Sequence, residues 1–183
     1  MSAPPLRFTP VSRFLHWLMA LMVLALLFIG TGMAASVSGR YRFLVAVHRP
    51  LGLAVLILVA IRWINRLINP PPPLPDSLPT WQRIAAKASH VLLYALMFII
   101  PLLGWGMLSA APYPIVIYGS LRLPPILPQN PALYAWLREL HGDLAYLLFA
   151  VFLAHLGAAL MHALIRRDGV FDSMASWGRG KRP

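Results

Sequence analysis

The sequence predicts an all-α membrane protein built as a bundle of four transmembrane helices. Of its 183 residues, 59% are hydrophobic and only 11% are charged, too little polar surface to wrap a water-soluble domain of this length. The mean hydropathy is +0.69. The apolar residues also gather into four runs, each near the 20 or so residues that a helix needs to cross a hydrocarbon core.

The first run covers residues 14–33. No small-residue cleavage site follows a short apolar core, so it reads as a retained span and not as a secretion signal. The second covers residues 43–64 and is followed by NPPPPLPDSLPT, residues 69–80, where proline removes backbone donors and imposes a rigid connector. The third covers 89–108, with Pro101 expected to bend it. The longest connection, residues 109–138, holds Pro112, Pro114, Pro124, Pro125, Pro128 and Pro131. It reads as a short lid on the membrane surface with one interfacial turn. The fourth run covers 140–164. No internal repeat or polar second unit is visible, so residues 1–183 are expected to form one domain. Gly30, Gly52, Gly104 and Gly106 permit close approach of backbones, and Gly142 makes room beside His141.

Lys and Arg outnumber Asp and Glu by 16 to 5. The cations lie between the apolar runs and at the C-terminus, a pattern that suits anionic membrane lipid; no nucleic-acid motif accompanies them. If the termini share a side, that side holds Arg7, Arg13, Arg62, Arg66, Arg83, Lys87, Arg166, Arg167, Arg179, Lys181 and Arg182. The other holds Arg40, Arg42, Arg49, Arg122 and Arg138. The positive-inside rule then puts both termini in the cytoplasm. Trp17, Trp63, Trp81, Trp105, Trp136 and Trp177 fall mostly near span ends, as interfacial anchors do. Cys is absent, which excludes disulfides, Cys-held iron–sulfur clusters and c-type haem attachment.

The histidines carry the chemistry. His141 and His155 lie fourteen residues apart in the fourth run, about 21 Å along a helix and close to a whole number of turns. Their rings therefore point the same way near opposite membrane faces. With both termini on one side, His16 shares the depth of His155, and His48 that of His141. Ionisable residues inside spans are costly and usually functional. Two imidazoles fill both axial positions of a haem iron and leave an electron carrier with no open site for oxygen. This is the geometry of two stacked haems. His162, seven residues beyond His155, is an alternate ligand, and His90 begins the third span on the cytoplasmic side. Haem propionates are carboxylates that Arg grips through paired donors. Arg13 and Lys87 are placed for the cytoplasmic haem, and Arg49, Arg138 and Arg42 for the periplasmic one.

The segments RFLHWLM, VHRPLGL, ASHVLLYALM, IPLLGWGM, LRELHGDLAYLL and LAHLGAALMHALIRRDGV together resemble the bacterial cytochrome b561 family. The resemblance runs from about Arg7 to Met174 and covers nearly the whole chain. It implies a four-helix bacterial inner-membrane bundle carrying two haem b groups, ligated by His16 with His155 and by His48 with His141. The family also resembles the membrane cytochrome subunits of nickel–iron hydrogenases and formate dehydrogenases, but this chain is shorter and its loop pattern is closer to the stand-alone proteins. What the resemblance implies for function is electron exchange with ubiquinone and superoxide oxidation on the periplasmic side. His90 and Lys87 are then the quinone-site candidates, and Arg49, Arg122 and Arg138 form the anionic entrance. The alternative expectation is a membrane cytochrome subunit fed by a soluble dehydrogenase or a periplasmic redox protein.

Overall fold

The computed structural model describes residues 7–37, 39–75 and 77–175. Trp177, Arg179, Lys181 and Arg182, counted above as an anchor and as topology determinants, lie outside the described residues.

Four helices among the described residues are long and apolar enough to cross a membrane: α1 (Pro10–Ala34), α2 (Gly39–Ile68), α3 (Thr80–Ala110) and α4 (Pro131–Leu160). The first three reach beyond both ends of the apolar runs that predicted them, and α4 starts before its run. Helix α1 starts where Thr9 stays extended and its Oγ1 accepts from the Ser12 amide at 3.2 Å, with Pro10 in the first turn, an arrangement that satisfies a donor the helix cannot satisfy itself. Its inward stripe is Ser12, Leu15, Met19, Val23 and Leu27, the spacing of one helical face. Leu21 and Phe28 on the other faces are 68% and 64% exposed. Exposure of that kind is costly in water and neutral against lipid tails.

Helix α1 packs along α2, and α3 along α4, with α2 also meeting α3; α1 and α4 have little backbone approach. Side chains bridge that seam instead, among them Phe28 and Phe149 with ring centroids 6.5 Å apart. At mid-depth Val23, Leu27, Val55, Leu96, Ile100 and Leu148 form one buried apolar cluster drawn from all four helices. The bundle thus has two ends separated by an apolar plug.

One end carries the α3–α4 connection, which departs from the expected lid. Residues Ile115–Tyr118 (β1) and Leu121–Leu123 (β2) pair antiparallel as a hairpin. Gly119 turns it with φ of 54°, a value that suits a residue without Cβ. Ile115 and Ile117, two apart on one face, are buried, and β1 rests on α2. Trp105 donates to the Pro124 carbonyl at 2.9 Å, and the Ser109 hydroxyl accepts from the Ile126 amide at 3.1 Å, so the return limb is tied to α3. Helix α4 then begins at Pro131, not at residue 140. Asn130 caps it by accepting from the Leu133 amide at 3.0 Å. Arg138 is therefore a helical residue, not a loop one.

The other end carries the described portions of both terminal segments. Helix α4 runs into a π-helical turn, Met161–Arg166, and stops where Arg167 adopts a left-handed backbone with φ of 51°. A short α5 (Val170–Ala175) follows and folds back against the start of α1. The Phe8 amide donates to the Ser173 carbonyl at 3.2 Å, and Trp17 Nε1 donates to the Met174 carbonyl at 3.3 Å.

Candidate functional site

At the hairpin end, α2 and α4 bring His48 and His141 together, with ring centroids 6.1 Å apart and planes inclined by 68°. At the terminal end, α1 and α4 bring His16 and His155 to 6.3 Å with an inclination of 74°. Helix α4 supplies one histidine to each pair, as its fourteen-residue spacing requires. A transition metal sits about 2 Å from an imidazole nitrogen. Two such bonds in line, with about 1 Å from nitrogen to ring centre on each side, span roughly 6 Å. Both pairs therefore have the separation that a metal shared by two imidazoles needs. No cluster of three or more His, Asp or Glu side chains suited to a protein-only metal cage occurs among the described residues. Two axial imidazoles per metal, with the other positions filled by a macrocycle, is the arrangement the donors fit.

His90 from α3 joins the terminal end, its ring 5.3 Å from that of His155. That is shorter than two metal bonds allow, so His90 touches His155 directly and His16 is the partner with room between. Lys87, one turn earlier on α3, is exposed. Arg13, one turn before His16, is buried. His162 lies on the π-helical turn with Nδ1 2.7 Å from Asp168 Oδ2. Its polar partner in the structure is that carboxylate.

Around His48 and His141 there is a cavity of about 370 Å³ reaching in from the hairpin, within the size range of cofactor sites. Arg49, Arg138, Tyr41 and Tyr134 line it, as do Ile117 and Leu123 of the hairpin. Arg138, Tyr134, Gly142 and Tyr146 also border a shallow depression on α4. Arg122, expected at the entrance, is instead an exposed β2 residue paired with Val116 and is not among the lining residues. Arg42 is likewise exposed and outside the lining.

The glycines separate by task. A Cβ on Gly104 would stand 3.2 Å from His141 Cε1, and one on Gly106 3.0 Å from Leu127, whereas Gly30, Gly52 and Gly142 face open cavity. Gly104 thus makes room for the His141 ring, whose Nδ1 lies 2.9 Å from the Ile100 carbonyl. A carbonyl can only accept, so Nδ1 carries the proton and Nε2 presents its lone pair. His48 Nδ1 is buried with no hydrogen-bond partner among the described residues.

The sequence reading missed a polar network beside His16. Arg62 donates to the Ser12 carbonyl at 3.0 Å and lies 3.3 Å from His16 Nδ1. Asn65 donates to the Ser12 hydroxyl at 2.7 Å and receives Asn69 at 3.1 Å. The available signal was Arg62 inside the second apolar run with Asn65 just past its end; Arg62 was assigned to topology alone.

A family described as prokaryotic cytochrome b561 matches residues 7–177. Among curated proteins, the chain is 31% identical over 173 residues to cytochrome b561 homolog 2 of Escherichia coli K12, covering 93% of this chain and 92% of the relative. It is 27% identical over 171 residues to cytochrome b561 homolog 1 of the same organism, covering 92% and 96%. Family membership implies haem b as the cofactor type, in keeping with the spacing of the two histidine pairs. The chain belongs to the prokaryotic cytochrome b561 family and is a multi-pass membrane protein of electron transfer.

Proposed function

We propose that this chain is a di-haem superoxide:ubiquinone oxidoreductase of the bacterial inner membrane. One haem b would be held by His48 and His141 and the other by His16 and His155. The observation that carries this reading is the pair of imidazoles at each end, at 6.1 and 6.3 Å. Bound haem supplies reversible one-electron exchange at each end of the bundle.

The residues around it have separable tasks. Both termini lie in the cytoplasm, so the hairpin cavity faces the periplasm. Arg49 and Arg138 at that cavity attract a small anion and grip propionate carboxylates. With His48 and His141 both holding it, the group would supply electron exchange and no site for oxygen, so a donor would give its electron at the edge of the cavity. Two superoxide anions each lose one electron and leave as dioxygen. Quinone takes up those two electrons with two protons and leaves as quinol. His90 and Lys87 form the quinone site at the other end, His90 through its contact with His155 and Lys87 through its exposure to the membrane surface. His162, oriented by Asp168, borders the same end and is the alternative to His155 as the ligand there, the reading that two haems retained in His155→Ala would favour.

Detergent-purified protein supplied with superoxide tests the reading. Rapid reduction of two haems, followed by reoxidation with a soluble ubiquinone analogue, is the expected result. Haems that ignore superoxide but accept electrons from a copurifying dehydrogenase would replace it with the membrane-subunit alternative.

A further inference from the structure

We propose that Arg62 gives the bundle its direction: its guanidinium, fixed beside His16, makes the haem at His16–His155 the more easily reduced of the two. The proposal rests on the di-haem reading above. It is carried by the difference in what touches the two α1 and α4 imidazoles. Arg62 sits in a span, where a charged side chain is expensive. None of the ion pairs among the described residues includes it. Its charge is tethered to the Ser12 carbonyl, lies 3.3 Å from His16 Nδ1 and also meets the Tyr94 side chain. Ser12 is itself buried, its hydroxyl bonded by Thr9 and Asn65, so the carbonyl that receives the guanidinium is held in place.

A guanidinium only donates, so it hydrogen-bonds Nδ1 of a metal-bound His16 only where that nitrogen has given up its proton. A ring protonated at that nitrogen keeps the same charge alongside, still tethered by Ser12. Either way, a cation beside the ligand favours the reduced metal, which carries one positive charge less. At the other end His141 donates to the Ile100 carbonyl. That bond makes the imidazole a stronger donor and favours the oxidised metal. Arg49 and Arg138 line the cavity there, but no hydrogen bond to either imidazole accompanies them, and charges near an open mouth are screened. One electron therefore passes downhill from the His48–His141 haem, which is oxidised, to the His16–His155 haem, which is reduced, with no proton moved.

Spectroelectrochemical titration of the haem-loaded protein tests this, using Arg62→Gln, Arg62→Lys and, as a control, Arg66→Gln. Arg66 lies one turn on, over the Tyr94 ring at 5.8 Å. The titration is repeated in a His141→Ala background, which retains only the terminal-end haem. Arg62→Gln should shift that haem's equilibrium toward the oxidised form by roughly tenfold, about 59 mV for one electron, and leave the other haem in place. Arg62→Lys should restore most of the shift, and Arg66→Gln should produce less of it. Unmoved midpoints in Arg62→Gln with both haems bound would overturn the proposal, as would movement of the hairpin-end haem alone. If Arg62→Gln loses the terminal-end haem, Arg62→Lys decides: a midpoint near wild type supports the charge role and a tenfold shift overturns it. Failure of the di-haem reading would show separately, as fewer than two haems per wild-type chain.

Discussion

The two ends of the bundle hold the same pair of ligand types and surround them differently. At the hairpin end, His48 and His141 face a glycine-lined cavity with cations at its mouth. His141 is fixed by a neutral carbonyl. At the terminal end, a third imidazole presses on His155, and a tethered guanidinium stands beside His16. The difference teaches that ligand identity sets what can bind, while the neighbours of each ligand set access and electron affinity. An end with room and surface cations suits entry of a small donor. An end with packed polar groups suits holding an electron until an acceptor arrives.

The largest effect that separates the ends should come from Gly104. Its α-carbon faces the His141 ring so closely that a Cβ would stand 3.2 Å away. Gly104→Val should abolish haem at the hairpin end and leave about one haem per chain, with the terminal-end spectrum intact. Gly104→Ala should give partial loss, and Gly30→Ala, which meets open space, should give none. Pyridine haemochrome quantitation reads all three. Equal haem content in Gly104→Val and wild type would show that the His141 ring has freedom the packing argument denies it.

A smaller effect is expected at the cavity mouth. Replacing Arg49 and Arg138 by Gln should slow reduction by an anionic donor by roughly tenfold at low ionic strength, an effect that fades as salt rises. Stopped-flow reduction at two salt concentrations checks it. A salt-independent loss would point to damaged packing instead of lost attraction.

The smallest effect lies beyond the terminal-end pair. Asp168 accepts from His162 and also caps α5, its Oδ1 receiving the Val170 amide at 3.3 Å. Asp168→Ala should cost about 1–3 kcal/mol locally. Faster amide exchange over residues 170–175 with unchanged haem content is the expected signature. Loss of haem from the hairpin end in this variant would contradict the separation of the two ends.

Much of this architecture is legible in the sequence because lipid imposes one rule on every span, a run of about 20 apolar residues. The same rule hides the ends. Arg40 and Arg42 in the first turns of α2, and Arg138 and Glu139 in α4, interrupt hydropathy without interrupting the helix, since polar groups at a membrane surface carry little penalty. The hairpin carried a readable signal, Ile115 and Ile117 alternating before Gly119 and Ser120, but its apolar side chains pointed equally well to a surface lid. Depth along a helix is a one-dimensional quantity, so it matched His16 with His155 and His48 with His141. Position around the bundle is not, and the contact of His90 with His155 followed only from the packing of α3 on α4. Arg62 was invisible for a related reason, because a cation near a span end looks the same whether it faces headgroups or a histidine.

The most direct measurement is haem b per chain, with low-spin spectra, in wild type and in His141→Ala, His155→Ala and His90→Ala proteins. The account predicts two haems in wild type and in His90→Ala, and one in each of the other two. Two haems retained in His155→Ala, or one lost in His90→Ala, would contradict the ligand set on which it rests.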